Sequence, residues 1–287
     1  MIIGDNREQV IENIKKAANS RNLNAKVEVG DPVMSLDERL KLVDDFWKNQ
    51  ASLKGKINNT IGHYMYSLFA KTITASTEIV GAENLRDLPR GGAIVTANHF
   101  NQFDSLTIKR LADHEHHKLS IVIEDTNLML PGFLRYLMNY VGTIPIVDSP
   151  HYIGNDFIKH LHNALDRDNW VLIYPEQEMW WNYRKPRKLQ RGAYYFAAKQ
   201  NVPIISTFVE IQDLPKLEKQ DNNFYQTKYI VHVLPVIYPD LNLSEKESST
   251  KMMEQDYKQK VAAYERIYGK KLNYDFSNDD IAGWRQQ

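Results

Sequence analysis

Apolar and polar positions recur along the chain with two different periods, and the change from one to the other divides it. The first part is helical. Val10, Ile14 and Ala17 share one face of a stretch that reads as an amphipathic helix over 5–23, with Asp5 and Glu8 as its capping pair. After a polar break containing Gly30 and Pro32, Ser35 and Glu38 form a capping box ahead of Leu36, Leu40, Val43 and Trp47, which predicts a second helix over 35–50. Helical spacing continues through Ile57, Ile61, Tyr64, Met65 and Leu68. From residue 81 the pattern changes. Short apolar runs predict strands at 93–97, 119–123, 143–147, 170–174, 203–209 and 229–236, and helical stretches lie between them at 105–115, 131–141, 152–166 and 190–200. Ser244 and Glu247 cap a last helix, in which Met253, Tyr257, Val261 and Tyr264 repeat on one face before Gly269. The tail that follows, with Asn278, Asp279 and Asp280, suggests no element.

Alternating strands and helices predict an α/β fold: a mostly parallel sheet sandwiched by helices, with additional N-terminal helices. The expected organisation is an N-terminal helical segment over 1–80, an α/β core over 81–243, and a C-terminal helix and tail over 244–287.

Charge refines this picture. Lys and Arg balance Asp and Glu at 36 each, so nothing points to nucleic acid as a partner. Cysteine is absent, which excludes disulfides, thiolate metal sites and a cysteine nucleophile. The N-terminal MIIGDNREQV lacks the basic flank and apolar core of a signal peptide, and no run approaches the ~20 apolar residues of a spanning helix. A cytoplasmic protein is expected, soluble or peripheral to the inner face of the cell membrane. From Phe46 to Thr77 no acidic residue occurs, while Lys48, Lys54, Lys56 and Lys71 accompany the apolar positions. That basic amphipathic segment fits a helix packed on the main domain, or one lying on a membrane surface.

Candidate chemistry centres on 91–104, where His99 falls at the end of a predicted buried strand and Asp104 at the start of a helix. Residues five apart are ~140° apart around a regular helix, so the two meet only if the chain turns between them. The strand-to-helix junction supplies that turn. A carboxylate on one imidazole nitrogen fixes the tautomer and leaves the other free to take a proton from a hydroxyl. His151 and Asp156 repeat the spacing, but at what reads as a surface helix start. For Asp104 the competing reading is a plain helix N-cap. His114, His116 and His117 read as a polar surface turn, His160 and His162 as exposed, and no metal or other cofactor is expected. Nucleophile-elbow, P-loop and dinucleotide motifs are all missing.

Asn98-His99-x4-Asp104 resembles the first conserved block of the glycerolipid acyltransferases, the group that includes 1-acylglycerol-3-phosphate acyltransferase. Three further blocks resemble theirs in order: Gly142–Ile146, Ile173–Glu176 and Val202–Ile205. The resemblance spans about 80–240 and implies a glycerol-3-phosphate acyltransferase-like fold. It further implies that His99 is a general base, Asp104 its orienting partner and Glu176 an acceptor-site residue. The reaction implied is transfer of a fatty acyl group from acyl-CoA or acyl carrier protein to a hydroxyl of a lysophospholipid or glycerol-phosphate type acceptor.

Two departures bear on the acceptor. Val147 and Asp148 stand where the second block usually ends in arginine, and the third continues from Glu176 into Gln177-Glu-Met-Trp-Trp rather than Gly-Thr-Arg. Arg184, Lys185 and Arg187, with Lys188, are the expected replacement cations for an anionic acceptor, the alternative being a solvated charged loop. Trp180, Trp181 and Tyr183 fit contact with a lipid or sugar, or packing beneath the loop. A sugar or glycolipid hydroxyl as acceptor, and a catalytically silent lipid-binding relative, both remain open.

Overall fold

The computed structural model describes residues 6–30, 32–219 and 221–285. Arg7–Asn19 forms α1, and Asp5, the expected capping residue, lies outside the described residues. Leu36–Ala51 (α2) carries the capping box between Ser35 and Glu38, and Leu53–Ile73 forms α3. The sheet then begins with Glu78–Val80 (β1), a strand too short and too exposed to read from the sequence. Ala93–Thr96 (β2), Ser105–His114 (α4), Leu119–Glu124 (β3), Gly132–Tyr140 (α5) and Thr143–Ile146 (β4) follow. Pro150–Tyr152 (α6) runs through a π turn into Ile158–Leu165 (α7), leading to Trp170–Ile173 (β5) and Gly192–Gln200 (α8). Ile204–Leu217 (β6) and Tyr225–Val233 (β7) make a long hairpin, and Glu245–Tyr268 (α9) starts at the Ser244/Glu247 box and stops at the left-handed Gly269.

Among the described residues seven strands lie in the order β1-β7-β6-β2-β5-β3-β4, and only the β6–β7 strand pairing is antiparallel. Central strands β2 and β5 are buried at every residue, which is what two helix-covered faces require. Helix α4 packs on β3, β5 and β7 with α3 outside it, while α7, α8 and α9 lie against β5, β2 and β6. This is the mostly parallel α/β sheet with added N-terminal helices that the alternation predicted.

Two further packing features place the site. Beneath the end of β2, Asp256 and Lys260 of α9 form a wholly buried pair at 2.6 Å, and Thr96 donates to Asp256 at 2.8 Å. Tyr194 and Ser206 also donate to that carboxylate, so the buried charges are fully engaged. The second feature is a satellite apolar cluster formed by α1, Val27, Trp180, Trp181, Tyr183, Phe224 and Ile281. It joins the loop after β5 to residues near both ends of the described chain.

Candidate active site

Strands β2, β3, β4 and β5 all end at one edge of the sheet, and the chain turns there from β2 into α4. Asn98 holds this turn by exchanging two hydrogen bonds with the backbone of Val209, Nδ2 to its carbonyl at 3.0 Å and the Val209 N–H to Oδ1 at 2.8 Å. His99 and Asp104 meet across it, with Nδ1 to Oδ2 at 2.7 Å. Asp104 is not an N-cap by side chain. Its Oδ2 instead reaches back to accept the N–H groups of Phe100 at 2.9 Å and Asn101 at 3.2 Å. With the carboxylate only 3% exposed and ringed by donors, Nδ1 of His99 is the protonated nitrogen when the ring is neutral. Nε2 has no hydrogen-bond partner among the described residues, and the imidazole is 21% exposed.

Tyr174 and Glu176, just after β5, complete the neighbourhood. The Tyr174 ring stacks on His99 at 4.0 Å between centroids, and its hydroxyl donates to Oδ1 of Asp104. Burial and the adjacent Asp104 charge push the Tyr174 hydroxyl well above its ordinary value, so it stays a donor. Glu176 accepts the backbone N–H of His99 at 3.3 Å and that of Arg187 at 2.9 Å, and pairs with the Arg187 guanidinium at 2.9 Å.

This strand-end histidine with its buried carboxylate lies inside residues 76–210, the stretch that matches the Acyltransferase family model. That match takes in most of the α/β core of the chain. Its fold is similar to the crystal structure of the 1-acyl-sn-glycerophosphate (LPA) acyltransferase PlsC from Thermotoga maritima. That superposition has a TM-score of 0.52 at 16% identity and covers 84% of this chain and all of that one. No curated protein matches the chain.

The cations beyond the third block are engaged in a way the sequence did not suggest. Arg184 pairs with Asp213 at 2.6 Å and donates to the carbonyls of Ile211 and Asp279. Lys185 pairs with Asp280 at 2.7 Å and donates to the Asp275 carbonyl. Arg187 is 1% exposed, pairs with Glu176, donates to the carbonyls of Leu23 and Glu178, and lies over the Trp180 ring. The run is therefore neither a set of free cations nor a solvated loop. Only Lys188 and Arg191 of the stretch are exposed. Trp180, Trp181 and Tyr183 are buried, and Trp180 Nε1 donates to the Ala25 carbonyl.

The second His-x4-Asp spacing forms nothing comparable. His151 and Asp156 are both exposed, and no hydrogen bond joins them among the described residues. His160 differs from expectation: it is half-buried, stacked on Trp47 at 3.4 Å, and burial lowers its pKa. His114 and His117 bond to Glu115 and to the Asp168 carbonyl. Sequence reasoning missed the Tyr174 hydroxyl, although the residue sits inside a recognised block. The usable signal was its place one residue beyond β5, beside the strand that leads to His99.

Proposed function

We propose that this acyltransferase moves a fatty acyl group from acyl-CoA or acyl carrier protein to a hydroxyl of a lysophospholipid or glycerol-phosphate type acceptor, with His99 as general base. The observation that carries the reading is the hydrogen bond from His99 to a buried, donor-ringed Asp104, which leaves Nε2 as the basic nitrogen on the partly exposed side of the dyad.

In this reaction Nε2 takes the acceptor hydroxyl proton as the oxygen attacks the thioester carbonyl. The C–O bond forms, the C–S bond breaks, and the imidazolium returns the proton to the leaving thiolate. Asp104 stabilises the imidazolium between those two transfers. A thioester is activated enough for this path to need no metal.

The pairing of Arg184, Lys185 and Arg187 with protein carboxylates favours a second reading, the same chemistry on a sugar or glycolipid hydroxyl, where the acceptor brings no phosphate. For an anionic acceptor these three would have to share their partners; for a neutral one they keep them.

We also propose attachment to the inner face of the cell membrane through α3. No helix among the described residues is long and apolar enough to cross a membrane. Helix α3 nevertheless exposes Leu53, Ile57, Ile61, Tyr64 and Leu68 on one side, with Lys54, Lys56 and Lys71 exposed along it. Its opposite side is packed, with Tyr66 donating to Ser105 at the start of α4. Apolar burial and attraction to anionic lipid add on such a surface.

A labelled acyl thioester offered with lysophosphatidic acid, glycerol phosphate, a sugar and a glycolipid tests the reading, with His99→Ala as control. The expected result is one labelled ester, reduced at least ~10²-fold in the variant. Transfer unaffected by His99→Ala, or none to any alcohol, refutes it.

A further inference from the structure

We propose that Tyr174 is a positioning residue for the dyad, one side chain that holds His99 by its ring and Asp104 by its hydroxyl; this rests on the acyl-transfer reading above. Register explains how it gets there. Thr96 of β2 lies opposite Ile173 of β5, so the chains leave the sheet side by side, with Tyr174 beside the segment that carries His99. The ring then lies 4.0 Å from the imidazole at an interplanar angle of 12°, and the hydroxyl meets Oδ1 of Asp104.

Each contact does something the other partners of the dyad do not. Three donors converge on Oδ2 of Asp104: Nδ1 of His99 and the N–H groups of Phe100 and Asn101. They fix one oxygen, and the Tyr174 hydroxyl fixes the other, so the carboxylate cannot swing about its last bond. The stacked ring closes one face of the imidazole and resists its rotation, which keeps Nε2 aimed while Nδ1 stays on Asp104. An aromatic face also favours the imidazolium over the neutral ring once the proton has been taken. Only the ring contact survives in Tyr174→Phe, and neither survives in Tyr174→Leu.

Tyr174→Phe removes a hydrogen bond to a charged group, and is expected to lower kcat about 10-fold while leaving KM for the thioester within about 2-fold. Tyr174→Leu is expected to cost about 10²-fold. The second measurement needs no turnover: exchange of the His99 Nδ1 proton with solvent, read by NMR and assigned by its loss in His99→Ala. That proton exchanges faster in Tyr174→Phe and faster still in Tyr174→Leu. If the leucine variant fails to fold, the phenylalanine variant, which preserves ring volume, decides alone. Unchanged kcat in folded Tyr174→Phe, or proton exchange equal to that of the unsubstituted protein, overturns the proposal. Should the unsubstituted protein transfer no acyl group to any acceptor, the functional reading falls, and proton exchange still tells whether Tyr174 positions His99.

Discussion

Replacing Lys185 by methionine separates a cation that serves the fold from one that serves a substrate. Lys185 and Asp280 are 4% and 1% exposed with 2.7 Å between nitrogen and oxygen, so the substitution leaves a carboxylate buried without its counter-charge. Breaking such a pair from one side costs about 3–5 kcal/mol. The Ser277 N–H still donates to the same Asp280 oxygen at 2.8 Å, which places the expected loss near the lower end, about 3 kcal/mol. For a chain of this size that corresponds to a fall in Tm of roughly 6–12 °C. Adding Asp280→Leu should return part of the loss, because it removes the unpaired buried charge, while the Ser277 N–H and the Asp275 carbonyl lose the partners they had in the pair. The assay is urea and thermal unfolding of the single and double variants, with acceptor KM measured on the folded protein. A single variant that melts normally but shows a raised KM for an anionic acceptor would refute the reasoning, since the charge would then be available to substrate.

Further outcomes follow from the same geometry. His99→Ala and Asp104→Asn should each cut acyl transfer at least ~10²-fold without unfolding the protein, and His151→Ala should keep near-normal turnover, all read by steady-state assay with a parallel melt. Changing Leu53, Ile57 and Ile61 together to serine should abolish flotation with anionic vesicles at low salt; binding that persists would remove α3 from the membrane surface. Burial, with Lys118 and Lys109 nearby, pushes the His63 imidazole down to about 4 from 6.5. The unfolded chain therefore binds the extra proton between those values, so stability is full above pH 6.5, falls as pH drops towards 4 by up to about 3 kcal/mol, and should lose that slope in His63→Gln, as urea midpoints against pH would show. A Cβ at Gly62 would sit 2.3 Å from the Tyr140 carbonyl oxygen, so Gly62→Ala should destabilise the α3–α5 contact by about 1–3 kcal/mol in chemical unfolding.

Features encoded within a few residues were readable in the sequence. The boxes at Ser35/Glu38 and Ser244/Glu247 form as expected because a cap needs only neighbours three residues apart. The buried strands β2, β3, β4 and β5 announce themselves as apolar runs. The hairpin was foreseen only in part. Beyond Val209 and before Tyr229 polar residues interrupt the apolar positions, so an apolar-run criterion stops while Ile211 is still in the core and the hydrogen-bonded ladder continues to Leu217 and Tyr225. The site divides along the same line. His99 and Asp104 meet through a local turn, whereas the partners of Arg184 and Lys185 are supplied from 29 and 95 residues away, where no spacing rule reaches. Asp280, unremarkable in a tail that suggested no element, is one of those partners. His160 looked exposed because the Trp47 that covers it belongs to α2.

The loop carrying Glu176 is held from both directions along the chain. Asn24 donates to the carbonyls of Glu176 and Lys188, while Asp280 and the Asp279 carbonyl take the charges of Lys185 and Arg184. Closing such distant contacts costs chain entropy before any of them repays it. During synthesis, the sheet edge and the His99 turn have all their strands once β7 has been made and their support from Asp256 and Lys260 once α9 has followed, yet the glutamate loop lacks its clamp until the chain has grown past residue 280. A growing chain would thus hold a formed dyad beside an unfinished loop, and would become competent in one late step. Fusions or proteolytic nicks near residues 275–284 should accordingly abolish the proposed acyl transfer while most of the sheet remains intact.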